Sequence, residues 1–300
     1  MTTFTPAEIT ACRRLVEMGL QEDVGVGDLT CQAVIPEALQ GRAVFVVRGA
    51  GVVAGLPAAA LVFAALDLRV RFEPLLSDGS AVQTGGRLAT VSGPMRSILT
   101  GERLALNFLQ RLSGVATLTR RYVDAIAGLP CRVLDTRKTT PGWRLLEKYA
   151  VRCGGGRNHR MGLYDGILIK DNHLAAMSIS DWALRIEDAV RRGHAACGAR
   201  PVEIEVENID QFVIVLDGLR PVIILLDNMS LEQLRDAVAR RNAECDSESE
   251  RQQVLLEASG GVTLHTVRAI AETGVDRISI GALTHSAPAL DIALDYQHAG

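Results

Sequence analysis

Six short apolar runs decide the fold: CRVLDTRK (131–138), YDGILIKDN (164–172), PVEIEVEN (201–208), PVIILLDN (221–228), VLLEASGG (254–261) and DRISIGAL (276–283). Amphipathic helical stretches such as SDWALRIEDAVRRGH (180–194) and TLHTVRAIAETG (263–274) lie between them. This alternation is the βαβ pattern of parallel strands. Six such strands point to a barrel or an incomplete barrel rather than an antiparallel sandwich. Each run is apolar until its C-terminal end, then delivers charge or glycine: Arg137-Lys138, Lys170-Asp171, Glu205, Asp227-Asn228, Ser259-Gly260-Gly261 and Gly281. In βα barrels that end carries the active face. Turn chemistry explains any one of these positions. It does not explain five or more, because ordinary turns have no need of Arg, Lys, Glu and Asp directly after buried strands.

Upstream, the texture differs. TPAEITACRRLVEMGLQED (5–23) opens like a capped amphipathic helix, and RAVFVVR (42–48), LRVRFEP (68–74) and GRLATVSG (86–93) read as strands separated by glycine turns. This predicts a small α+β domain with an antiparallel sheet. Residues 97–128 keep an apolar three- and four-residue spacing and predict one long helix, with a break expected near Gly114. The expected organisation is an N-terminal α/β sandwich over 1–115 and an α/β barrel over 116–288. A closing helix over 289–300 is expected to pack back on the first domain, and 240–253 is expected to be a polar surface loop or helix extension.

Composition narrows the function. The chain has 300 residues, 48% hydrophobic and 22% charged, with a net charge of −3. Overall attraction to nucleic acid or to an acidic membrane is not indicated, so anion binding must be local. The six cysteines form no C-x-x-C pair and read as reduced thiols, and no run approaches a membrane span. A cytosolic protein is expected. Of 32 basic residues only Lys138, Lys148 and Lys170 are lysines. Arginine carries the solubilising charge, so Lys138 and Lys170 stand out.

The polar residues form a constellation. The loops after the last two strands, EASGGVTLHTV and SIGALTHSAPAL, place small residues between a strand and a helix start, which suits a phosphate. Arg137, Lys138, Arg157, His159, Arg160 and Lys170 fall within 34 residues, a charge suited to several carboxylates or phosphates. His159 reads equally well as a structural histidine. Glu203, Glu205 and Glu207 alternate and share a strand face, with an exposed polar face as the alternative. Asp227 ends the run VIILL. Glu205 and Asp227 are the candidate ligands for Mg²⁺ held jointly with substrate oxygens and water.

These motifs, with EDVGVGDLT (22–30), GERLALNFLQRLSGVAT (101–117), DTRKTTPG (135–142) and GGGRNHRMGLYDGILIKDNH (154–173), resemble the quinolinate phosphoribosyltransferase family over almost the whole chain. The resemblance implies a partly open α/β barrel with an N-terminal α+β sandwich. It implies transfer of phosphoribose from phosphoribosyl pyrophosphate to quinolinate with loss of CO₂, in NAD biosynthesis, using Mg²⁺. It also implies a homodimer whose sites are completed across the interface, with a hexamer as the alternative assembly. By matching positions it implies catalytic roles for Lys138, Lys170, Glu205 and Asp227. The implied quinolinate contacts are Arg137, His159, Arg160 and Lys170, with Arg103 from the neighbouring subunit. The implied donor contacts are Lys138, Lys170, Glu205 and Asp227, with the 5′-phosphate on Ser259, Gly260, Gly261, Gly281 and His285. Thr136, Ile280 and Ala282 are further implied substrate-binding positions. The expanded polar stretch 240–253 is the main departure from the family pattern.

Other readings of the same residues are a Schiff-base aldolase or decarboxylase with Lys170 as nucleophile, a phosphate-ligand sensor without turnover, and, within the same superfamily, a molybdenum-associated protein or a nicotinate-specific transferase.

Overall fold

The computed structural model describes residues 3–198, 201–218, 223–244 and 254–297. The chain divides into two compact units that interleave in sequence. The first holds 3–120, 138–156 and 281–297, and the second holds 121–137 and 157–280. Segments 138–156 and 281–297 therefore cluster with the N-terminal residues, although 138–156 lies within the stretch expected to form the barrel. Of the polar stretch 240–253, residues 240–244 end the helix Leu231–Glu244, and 245–253 lie outside the described residues.

The first unit is built on an antiparallel sheet. Its strands are β1 (Gln40–Val47), β3 (Arg71–Pro74), β5 (Arg87–Pro94) and β12 (Ile292–Gln297), in the order β12-β1-β5-β3. The short strands β2 (Gly51–Val52) and β4 (Ala81–Val82) pair separately. The helix Pro6–Asp23 starts as its sequence predicts. The Thr5 hydroxyl accepts the Glu8 amide at 3.3 Å, and the Glu8 carboxylate accepts the Thr5 amide at 2.7 Å.

Two expectations are corrected here. The closing segment is a strand, not a helix: Ile292 to Gln297 pairs with β1 from Val47 back to Arg42. ALDIALDY supports both periods, and the alternating set Leu290, Ile292 and Leu294 is the buried one. The free edge of β1 decides between them. It supplies hydrogen-bond partners along six residues that a helix would leave unpaired. The long helix Met95–Ala125 also runs through Gly114 without a break. A Cβ at Gly114 would lie 2.1 Å from the Pro288 carbonyl oxygen, so this glycine allows another segment to approach the helix closely.

The second unit holds the six parallel strands: β6 (Arg132–Leu134), β7 (Ile167–Ile169), β8 (Val202–Val206), β9 (Ile223–Asp227), β10 (Leu255–Ser259) and β11 (Arg277–Ser279). Their order is β6-β11-β10-β9-β8-β7. Helices Trp182–Cys197, Ile209–Gly218, Leu231–Glu244 and Val267–Ala271 connect them, giving a partly open α/β barrel. The open edges belong to β6 and β7. Segment 157–166 runs from one to the other. The Arg157 amide donates to the Val133 carbonyl at 2.9 Å, and Arg160 Nη1 donates to the Gly166 carbonyl at 3.1 Å, just ahead of β7. Among the described residues, no helix is long and apolar enough to cross a membrane.

Candidate active site

In the second unit, the polar residues at the C-terminal ends of the strands lie side by side. Leu134 pairs with Ser279, Ser279 with Ser259, and Ser259 with Asp227. Glu205 sits two residues lower, opposite Leu225, on the same strand face as Glu203. Lys170 follows β7, and its ammonium is ion-paired with the Glu205 carboxylate. Asn228 Nδ2 donates to Asp227 Oδ2 at 2.8 Å, and the Asn228 amide donates to the Ser259 carbonyl at 2.9 Å. Asn228 adopts φ 52°, and Gly260 adopts φ 93°. A Cβ on Gly260 would lie 2.1 Å from Asn228 Oδ1, so this corner of the site requires glycine.

Ser259, Gly260 and Gly261 form a turn, and the next helix starts at Val267. The Val267 amide donates to the Thr263 carbonyl at 2.9 Å, so the first helical turn opens two residues after Gly261. Ile280 is buried, and its amide donates to the Leu134 carbonyl at 2.9 Å, so it closes the strand row from within.

In the first unit, Lys138, Gly281, Ala282 and His285 come together. A Cβ on Gly281 would meet Lys138 Cδ at 3.0 Å and His285 Nε2 at 3.1 Å. Thr284 Oγ1 donates to the Lys138 carbonyl at 2.7 Å. Arg111 pairs with buried Glu147 at 2.5 Å and donates to the Ala287 carbonyl at 3.1 Å and to the Thr284 carbonyl. Glu147 also accepts the Thr140 amide at 3.0 Å. One arginine–glutamate pair thus ties the turn after Lys138 to the segment after Gly281. Arg103 is exposed on the helix Met95–Ala125.

His159 and Arg160 are placed differently from the strand-end residues. Both ring nitrogens of His159 are engaged inside the protein. Nδ1 accepts the Arg160 amide at 2.8 Å, and Nε2 faces Glu203 at 3.0 Å and Glu257 at 3.4 Å. Burial opposes a charged ring, but the carboxylates of Glu203 and Glu257 facing the ring outweigh it and push His159 up to about 9. The Arg160 guanidinium leans toward the strand starts. With Gly166, Pro201 and Ile223 it lines a cavity of about 280 Å³. Burial and the neighbouring charge of Arg137 hold Arg160 below the usual guanidinium range. Thr136 and Arg137 are half-buried in the turn after β6.

Sequence reasoning passed over Glu257, Arg277 and Asp135. Glu257 stands in the middle of the apolar run VLLEASGG, and an uncompensated charge there is itself a signal. Arg277 is ion-paired with it. Glu203 is buried, which excludes the exposed-face alternative for the alternating glutamates, while Glu207 lies beyond the strand and is exposed.

Models of the quinolinate phosphoribosyl transferase N-terminal and C-terminal domains match residues 28–113 and 115–295. The chain belongs to the quinolinate phosphoribosyltransferase family. It is 42% identical to a nicotinate-nucleotide pyrophosphorylase [carboxylating] of Mycobacterium leprae, across 97% of this chain and 99% of that one. It is also 42% identical to a quinolinate phosphoribosyltransferase [decarboxylating] of Nicotiana glauca, across 93% and 81% of the two chains. The solved nicotinate-nucleotide pyrophosphorylase of Francisella tularensis superposes with a TM-score of 0.87 at 38% identity, covering 99% of each chain. Together the two domain models run from the N-terminal domain past the last barrel strand.

Proposed function

We propose that this protein catalyses transfer of phosphoribose from phosphoribosyl pyrophosphate to quinolinate, with release of pyrophosphate and CO₂, forming nicotinate mononucleotide for NAD biosynthesis. The observation that carries the reading is the strand-end row itself. The Lys170–Glu205 pair spans β7 and β8, and the Asp227–Ser259 pair spans β9 and β10, together offering both signs of charge at one end of a parallel sheet. Leaving pyrophosphate needs cations, and the ribose carbon it leaves becomes positive and is stabilised by a carboxylate such as Glu205. The pyridine nitrogen supplies the electron pair for the new C–N bond. N-ribosylation makes the ring cationic, so it can take up the electrons released when the adjacent carboxylate departs as CO₂, and a proton replaces that carboxylate.

Arg137 and Lys170 bind the quinolinate carboxylates, with Arg103 of the partner subunit completing the site in a homodimer. A hexamer is the larger assembly open to the same chain. Carried over residue by residue from the family, the donor contacts are Lys138, Asp227, Ser259, Gly260, Gly261, Gly281 and His285. Glu205 and Asp227 each have one oxygen engaged, by Lys170 and Asn228 respectively. They suit Mg²⁺ only where donor oxygens and water complete its shell, as is usual for this ion beside phosphates. Bound there, Mg²⁺ would supply charge neutralisation to pyrophosphate. Cys12, Cys31, Cys131 and Cys153 are free and buried, which agrees with a reducing compartment such as the cytosol. The Schiff-base alternative is disfavoured because the Lys170 ammonium is held by a carboxylate rather than set up as a free amine.

Replacing quinolinate by nicotinate removes the 2-carboxylate and leaves cationic groups unmatched. The expected drop in kcat/KM is on the order of 10,000-fold. Comparable turnover of the two acids would sink the assignment to quinolinate. Gly281→Val is expected to displace Lys138 and His285, weakening donor binding while calorimetric quinolinate affinity stays nearly constant. Equal loss of both affinities would count against a local donor site at Gly281.

A further inference from the structure

The interior of the second unit contains a charged cluster that no strand-end role accounts for. Glu203 on β8, Glu257 on β10, Arg277 on β11 and His159 on the crossing segment meet there. Their side chains are between 0% and 16% exposed, so this is core rather than surface. Formal charges balance when one proton is shared: two carboxylates face one guanidinium and one imidazole. The Arg160 amide on Nδ1 directs the ring proton to Nε2, toward both glutamates. Burial and the charge of Glu257 raise Glu203, whereas His159 and Arg277 outweigh burial and lower Glu257. Oε1 of Glu203 is buried with no hydrogen-bond partner among the described residues. A cluster kept only for stability would be better replaced by apolar side chains.

The cluster connects directly to the turn that follows β6. The His159 amide donates to Asp135 Oδ1 at 2.9 Å, and Asn158 Nδ2 donates to Asp135 Oδ2 at 2.6 Å. Asp135 is fully buried and immediately precedes Thr136 and Arg137. We propose that Glu203, Glu257 and Arg277 are positioning residues for quinolinate binding: they clamp His159, which fixes segment 157–160 across the open barrel edge and, through Asp135, sets the Thr136–Arg137 turn. This rests on the reading that Arg137 meets a quinolinate carboxylate. His159 thereby acts through other residues, since both of its ring nitrogens are already used. The same His and Glu atoms lie within 4.8 Å of one another, a spacing that a divalent cation could also span. Arg277 on Glu257 already supplies a positive charge that a cation would otherwise bring, and the Nε2 proton occupies the lone-pair position that a metal would need.

The test is steady-state kinetics of Glu257→Gln, an isosteric change that removes one charge. The KM for quinolinate is expected to rise by on the order of 10- to 100-fold, with the KM for phosphoribosyl pyrophosphate within about twofold. Arg137→Ala serves as the control for the underlying reading, and the double variant should be no worse for quinolinate than Arg137→Ala alone. If Arg137→Ala leaves quinolinate KM unchanged, the binding assignment fails. If Arg137→Ala raises it but Glu257→Gln does not, or if Glu257→Gln raises both KM values equally, the positioning role is overturned. Should Glu257→Gln not melt cooperatively, Arg277→Lys takes its place with the same expected KM split. Stoichiometric zinc or manganese in the purified protein, lost in Glu257→Gln, would also overturn it.

Discussion

Lys170→Ala is expected to lower kcat by on the order of 1,000-fold or more, while the protein still melts cooperatively. The side chain of Lys170 is 42% exposed, so its removal leaves no cavity in the core, and Glu205 can be hydrated in its place. A part-exposed ion pair contributes little to stability, roughly 0–1 kcal/mol. At the site the loss is larger. Lys170 is ion-paired with Glu205 after β7, so its removal takes away the group that balances that carboxylate and that, on the proposed function, meets the anionic substrates. Activity assays paired with thermal melts separate the two effects. Loss of the cooperative transition along with activity would make Lys170 a structural residue.

The second large effect concerns Arg103. It is exposed on the helix Met95–Ala125, and the proposed function assigns it to the partner subunit's site. Arg103→Ala and Lys170→Ala homodimers are each expected to be nearly inactive. A mixed dimer has one doubly damaged site and one intact site. Co-refolding equal amounts therefore restores activity to at most about a quarter of wild type under random pairing. Mixed dimers verified by mass but lacking activity would place Arg103 within its own chain's site, or remove the dimer from the account.

The six barrel strands were legible because each is a compact apolar run ended by charge, and that local pattern survives folding unchanged. The strand-end residues Lys170, Glu205, Asp227 and Ser259 were legible for the same reason. What could not be read depends on which strands become neighbours. Glu257 and Arg277 are 20 residues apart in sequence, and only the β10–β11 pairing brings them together. The clamp on His159 likewise needs β8, β10 and the crossing segment in one place. Segment 292–297 was misread because its own pattern permits helix and strand alike, and the deciding partner, β1, lies some 250 residues earlier in the chain. Gly114 was taken for a break because its reason for being glycine, the Pro288 carbonyl, is equally remote.

The most direct test of the central claim is a product balance. Quinolinate labelled with carbon-14 in the 2-carboxylate is incubated with the protein, phosphoribosyl pyrophosphate and Mg²⁺; labelled CO₂ is trapped and counted, and nicotinate mononucleotide is quantified separately by chromatography. The account predicts equal amounts of both, and none of either when the donor is left out. Labelled CO₂ released without the donor, or a nucleotide product that retains the label, would contradict it.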